Sequence, residues 1–480
     1  MKFNNPLYEN EELAYEDVFL FQNYFDGNSR LEMDVDPTIP LATHIPIITA
    51  NMNAVSGKRM AETIARYGGL SVLPQDMDIE TLTRIISSIK AADVQYDTPI
   101  TVKAHNTIRD ALGIIHKRAH NSVILIDDEG KAINIFKPQD LENLDQFTLL
   151  GNISKPGMIT GKIGISDEDA FTLMDEKGIS SLPIIDDQGI LKGILTKKNT
   201  LRNTLYAPSL DQHGKLNVAV AVGIHNFDEK VAILYDLGIR LFVLDTAHGY
   251  QKSMIENIKN IRSMYGNTII VVAGNVITEE ATRALLLAGA DGVKVGIGPG
   301  AMCTTRMKTG VGRPQFTAVY KCAQEAKKHG GFVWADGGIK TPRDFILALA
   351  AGANHVMWGT QWAGTFESVG DVKYDEEGLM YKENYGMASK KAVCDRSQKL
   401  SKFEQAQKQM FREGISSSRI YIKPGMESVG DIVDECMTGL RSSMTYVGAK
   451  NLEEFCEKAI VGVQTSAGFV EGTPHGKIRK

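Results

Sequence analysis

Gly292–Arg306 reads GVKVGIGPGAMCTTR: a short valine-rich run, then three glycines and a proline within five residues, then a cysteine. β-Branched residues favour a strand, whereas the Gly-Ile-Gly-Pro-Gly run suits neither helix nor strand and lets backbone approach a ligand closely. Outward from this stretch the same signature recurs, as runs at Ile45–Ala50, Gly69–Leu73, Asn217–Val222, Leu241–Leu244, Thr268–Ala273, Gly331–Ala335 and His355–Met357, with helical patterns between them. With Gly292–Val295 the runs number eight, and alternating strands and helices imply a parallel sheet that eight strands close into a (β/α)8 TIM barrel. A doubly wound open sheet is the competing α/β arrangement. In the barrel, Cys303 stands at the C-terminal mouth, where such folds keep their active sites. That makes it a candidate nucleophile, against the common case of a buried, inert thiol. Thr304 and Thr305 supply hydroxyls beside it.

The runs follow one another at short and fairly even intervals, except that a far longer one separates the second, ending at Leu73, from the third, beginning at Asn217. Residues 97–205 fill that interval with two copies of one unit. The copies read SVILIDDEG at Ser122–Gly130 and SLPIIDDQG at Ser181–Gly189, each after a helical stretch, Ile108–His120 and Asp167–Gly178. A repeat of strand, Asp-Asp-x-Gly turn, strand and helix resembles a tandem CBS module. The expected domains are therefore 1–96 and 206–480 for the barrel, with the module at 97–205. In CBS motifs a Thr and, three residues on, a ribose-binding Asp close each copy. Here the first copy has Lys137 and Asp140, the second Thr196 and Asn199, so each half-site is degraded. The resemblance implies ATP or GTP as the module's ligand, through Asp140; a purely structural role in oligomer contacts is the alternative.

Of 480 residues, 43% are hydrophobic and 23% charged, which is ordinary for a globular protein with a sizeable core. A net charge of −5 leaves no global basic field for nucleic acid or an anionic membrane. No apolar run approaches the length of a bilayer span, and Met1–Glu12 is polar and acidic, so the expected location is cytoplasmic. The five cysteines, Cys303, Cys322, Cys394, Cys436 and Cys456, form no CxxC pair, which argues against a zinc site or a disulfide framework.

GIGPGAMCTTR, together with ADGGI (Ala335–Ile339), YGM (Tyr385–Met387), GLRS (Gly439–Ser442) and ANMNAV (Ala50–Val55), resembles the IMP dehydrogenase and GMP reductase family over nearly the whole chain. The resemblance implies that Cys303 attacks carbon 2 of a purine nucleotide to form a covalent adduct. It implies that Asp336 takes both ribose hydroxyls, a role suited to a carboxylate, although an Asp here could also cap the following helix. Gly337, Gly338, Gly359, Thr360 and Tyr385 would serve the 5'-phosphate, Met52 and Met387 the base, and Gly386 would also bind the substrate. Ala301 stands where the family has a phosphate-binding serine, so backbone donors and Tyr385 carry more of that contact. NADPH would be held by Asp245, Asn275 and Gly296, with Ser442 and Tyr446 at its adenine end from a neighbouring subunit of a tetramer or octamer. No GxGxxG fingerprint implies a Rossmann domain. Potassium on the carbonyls of Gly296, Gly298 and Cys303 is implied as well, against a glycine-rich turn that needs no ion.

Between Lys390 and Lys423 stand nine basic residues and three acidic ones, either a solvated face or a mobile lid, expected at about 388–425. In it Glu413 matches the glutamate that works with Thr305 to pass a proton to a departing amine. A dehydrogenase needs an Arg-Tyr pair in the lid to activate water; the corresponding place reads Asp395, Arg396, Ser397, Gln398. KTGVGRPQ (Lys308–Gln315) and TYVGA (Thr445–Ala449) also lean to the reductases. The leading expectation is thus reductive deamination of GMP to IMP and ammonia. IMP dehydrogenation is the alternative, and a non-catalytic purine nucleotide sensor the second.

Overall fold

The computed structural model describes residues 1–37, 39–155, 157–224, 227–385, 401–404, 407 and 418–474. Eight parallel strands close on themselves: β1 Ile47–Thr49, β2 Leu70–Leu73, β3 Ala219–Val222, β4 Leu241–Asp245, β5 Ile270–Val276, β6 Gly292–Val295, β7 Phe332–Asp336 and β8 His355–Trp358, with β8 pairing β1. All eight match the expected runs to within a few residues. The largest departure is β5, where Gly266–Thr268 forms a 3₁₀ turn and the strand instead runs on past Gly274 to Val276. A bulge between Gly274 and Val276 absorbs the extra residue, so Asn275 is turned out of the regular register.

Alternate residues face the barrel axis, as the period of a strand requires. Val72, Ala221, Val243, Val272, Trp334 and Met357 fill the interior as one apolar cluster. The opposite faces pack on the surrounding helices in a second, larger core. On β8, His355 is fully buried, with Nε2 2.8 Å from Thr43 Oγ1 and no partner for Nδ1. Burial alone pushes its pKa down to about 3, from 6.5. The unfolded chain takes up this proton as pH falls through about 6.5, but the folded chain does not. Stability is therefore complete above that pH and is lost toward pH 3, by about 1.4 kcal/mol per pH unit. Melting temperature should fall between about pH 7 and about pH 5, and more shallowly in His355→Gln; parallel slopes would reject the assignment.

Between β2 and β3 the repeats build two three-stranded sheets. One holds Thr101–Val102, Val123–Ile126 and Ala132–Phe136; the other holds Gly161–Lys162, Ser181–Ile185 and Leu191–Thr196. Each has its own apolar core. The two Asp-Asp-x-Gly turns meet, with Ala132 N donating to Gly189 O and Leu191 N to Gly130 O. Charge ties this unit to the barrel: Asp97 accepts from both Arg66 (3.1 Å) and Arg118 (2.9 Å), and Arg118 also bonds Glu62. All four side chains are buried, so losing one leaves an uncompensated charge.

A third sheet, Lys373–Tyr374, Met380–Asn384 and Ser418–Tyr421, flanks the expected lid. Most of that lid lies outside the described residues. Among the described residues no helix is long and apolar enough to cross a membrane.

Candidate active site

Above the apolar layer the axis-facing positions turn polar. The same alternation that points Val243 inward points Asp245 inward at the end of β4, Lys294 in β6 and Asp336 at the end of β7. Lys294 Nζ lies 2.9 Å from Asp245 Oδ1 and 2.5 Å from Asp336 Oδ2, with only 3% of its side chain exposed. Burial presses the ammonium toward neutrality, but Asp245 and then Asp336 outweigh it and hold the pKa above that of an ordinary lysine. Asn275 Nδ2 donates to Asp336 Oδ2 (2.9 Å) and to Gly296 O (2.5 Å), and Asn51 Nδ2 to Asp245 Oδ2 (2.7 Å).

A cavity of about 550 Å³ opens over this layer, lined by Met52, Asp245, Asn275, Lys294, the 296–303 loop, Thr305, residues 336–340 and Trp358–Thr360. This volume suits a small-molecule ligand. The loop's shape is set at Gly296, whose φ of +150° and closeness to β7 exclude a side chain: a Cβ there would lie 2.1 Å from Asp336 O. Gly337 (φ +83°) is held less tightly, a Cβ falling 3.2 Å from Gly300 N, and the two loops abut.

Cys303 is exposed in this cavity, its Sγ 3.2 Å from Thr305 Oγ1. The other described cysteines differ. Burial pushes the Cys322 thiol up to about 12 and raises those of Cys436 and Cys456, which keeps them protonated and inert. The Arg306 guanidinium, from the helix that follows, has its pKa lowered by burial. It is fixed by Ile297 O (3.1 Å) and Arg313 O.

The structure thus gathers Cys303, Thr305, Met52, Asp336, Gly337, Gly338, Gly359, Thr360, Asp245, Asn275 and Gly296 around one cavity. Asp336 is not a helix cap: Thr341 and Asp344 form the capping box of Pro342–Ala350. The Gly337 amide already donates to Met357 O, at 3.4 Å, so less of it is left for phosphate than expected. Tyr385 follows the Met380–Asn384 strand and is not part of the cavity lining, and Gly386, Met387 and Glu413 lie outside the described residues. Ser442 and Tyr446 sit away from this cavity on helix Val429–Val447, where Ser442 accepts from Arg30 and Tyr446 is 68% exposed. Of the carbonyls expected to bind potassium, that of Gly296 accepts from Asn275. Asp140, in the first repeat, caps the helix at Pro138 and pairs with Lys155 at 2.5 Å.

Sequence reasoning missed Lys294 and Asn51. A signal for Lys294 existed: a lone lysine between two valines in a wholly apolar strand must find a buried partner. Which partner is settled only by closure of the barrel.

The whole arrangement has known relatives. The IMP dehydrogenase / GMP reductase domain model matches residues 12–475. The chain belongs to that family. It is 44% identical over 464 residues to GMP reductase of Mycobacterium bovis, covering 96% of each chain. It is 36% identical over 477 residues to inosine-5'-monophosphate dehydrogenase of Bacillus subtilis, covering 98% of this chain and 96% of that one. Among solved structures, a cysteine-to-alanine variant of GMP reductase from Trypanosoma brucei in complex with guanosine 5'-monophosphate superposes with a TM-score of 0.68. The two are 30% identical, over 99% of this chain and 100% of the other. The family's name holds two activities, and the choice between them turns on what meets the substrate in the cavity.

Proposed function

We propose that this protein is a GMP reductase, converting GMP and NADPH to IMP, NADP and ammonia through a covalent adduct on Cys303. The observation that carries the reading is an exposed cysteine at the barrel mouth, bonded to a threonine hydroxyl and sharing one cavity with the carboxylates of Asp245 and Asp336. The higher identity to a reductase than to a dehydrogenase over the same span supports the reductive direction. So does Ser397, at the place where a dehydrogenase carries the tyrosine of its water-activating pair.

In this mechanism the Cys303 thiolate adds to C2 of the guanine, and the 2-amino group leaves as ammonia with a proton passed through Thr305 from Glu413. NADPH, held by Asp245 and Asn275, would supply the hydride that C2 accepts; the C2–S bond then breaks and the Cys303 thiolate is restored. Asp336 holds the ribose, and the Gly337–Gly338 and Gly359–Thr360 segments hold the phosphate, so that C2 meets the sulfur in an attacking geometry. Asp245 and Asn275 orient the nicotinamide ribose, while Ser442 and Tyr446 reach the adenine end of a neighbouring subunit's cofactor in a homo-oligomer. Residues 97–205 act as a tandem CBS module that binds ATP or GTP, with Asp140 contacting a ribose while its Oδ2 is held by Lys155 and the Lys137 amide.

The deciding test is ammonia release from GMP with NADPH, set against XMP formation from IMP with NAD. Robust XMP formation without GMP turnover would reverse the assignment. Thr305→Val should lower kcat by about 10²-fold with little change in KM, because the hydroxyl acts on the leaving group and not on binding. A rise in KM at constant kcat would instead make Thr305 a binding residue.

A further inference from the structure

We propose that Lys294 is a positioning residue that fixes both sugar-reading carboxylates, Asp336 for the substrate and Asp245 for the cofactor, so that one buried ammonium serves both sites. The proposal rests on the sugar-binding roles given to those two residues above. Its basis is geometric. Lys294 belongs to β6, between the strands that supply its surroundings, and its Nζ bridges Asp245 Oδ1 and Asp336 Oδ2 at 2.9 and 2.5 Å. Asn275 shares Asp336 Oδ2 with it, leaving Oδ1 without a protein partner among the described residues and free for ribose hydroxyls. Asn51 fixes the second oxygen of Asp245. The layer beneath is apolar, so among the described residues no other cation compensates these carboxylates from below.

The charged groups facing Lys294 are Asp245 from β4 and Asp336 from β7; β5 adds the neutral Asn275, and the segment after β1 the neutral Asn51. Together the three charges sum to −1. Without the ammonium the sum is −2, and the two carboxylates repel each other with no cation between them to hold either in place. A displaced Asp336 meets ribose hydroxyls poorly, and a displaced Asp245 does the same toward the cofactor. A lysine that merely filled space would carry neither consequence.

The test measures equilibrium binding of GMP, IMP and NADP by calorimetry, without turnover, on the full-length protein. Lys294→Met, close in length and without charge, should weaken GMP and NADP each by at least about tenfold. The double variant Lys294→Met with Asp245→Asn restores the sum of −1 and should recover GMP affinity at least about fivefold over Lys294→Met alone. GMP binding within about twofold of wild type in Lys294→Met would overturn the proposal. So would a folded double variant that binds GMP no better than the single one. If Lys294→Met does not fold, the double variant decides: folding with GMP bound supports the charge argument, and failure to fold or bind rejects it. If wild type binds neither GMP nor IMP, the substrate assignment fails instead, and the two failures are thereby told apart.

Discussion

Cys303→Ala should abolish ammonia release from GMP, lowering turnover by at least about 10⁴-fold, because no other described group in the cavity can form the adduct. The remaining described cysteines are buried or half-buried with raised pKa values and cannot substitute. GMP affinity, in contrast, should stay within about threefold of wild type, since the ribose and phosphate contacts do not pass through the sulfur. The pair of measurements is what matters: stopped turnover with retained binding marks a nucleophile. Loss of both would mean that the loop had collapsed, and unchanged turnover would remove covalent catalysis from the account. An electrophilic purine nucleotide such as 6-chloro-IMP should label Cys303 in the wild type, and GMP should protect it.

Gly296→Ala should be nearly as damaging, although it adds a single methyl group. The Cβ would fall 2.1 Å from the backbone oxygen of Asp336, in a conformation (φ +150°) that side chains rarely adopt. The obstruction is backbone on a central strand, so relief requires the 296–303 loop to move away from β7. That movement breaks the Asn275 bond to Gly296 O and displaces Cys303 relative to Asp336. A displacement of about 1 Å between nucleophile and bound substrate costs on the order of 10²-fold in kcat. Since backbone strain of this kind costs about 1–3 kcal/mol, the variant should still fold, with a lowered melting temperature. Steady-state kinetics beside a thermal melt checks this, and kcat within about threefold of wild type would show that the loop tolerates the shift.

The cysteine loop was legible because its composition allows nothing else: glycines and a proline that cannot continue a strand, ending in a residue with one distinctive chemistry. The strands were legible for a similar reason, since a central parallel strand is buried on both faces and reads as a continuous apolar run. Eight runs therefore implied eight strands, and eight strands implied closure. Fewer of the polar contacts were legible. Asp245 and Asp336 were identified by the motifs they belong to, while the ammonium that binds them together lay unremarked in the same quoted stretch as Cys303.

Local composition thus settles which segments are strands, where the chain must turn, where a repeated unit is inserted, and which cysteine sits in a loop that backbone alone can shape. Which residues share a partner is settled in three dimensions. Asp245, Lys294 and Asp336 lie on three separate strands, and their meeting depends on strand parity and on the order of strands around a closed barrel. The same holds for Gly296, whose need to be glycine comes from a backbone oxygen at the end of β7, and for Ser442 and Tyr446, which the fold places on an outer helix and not beside Cys303. One cause is common to all of them: electrostatic and steric contacts act through space, and a linear sequence carries only the spacing along the chain.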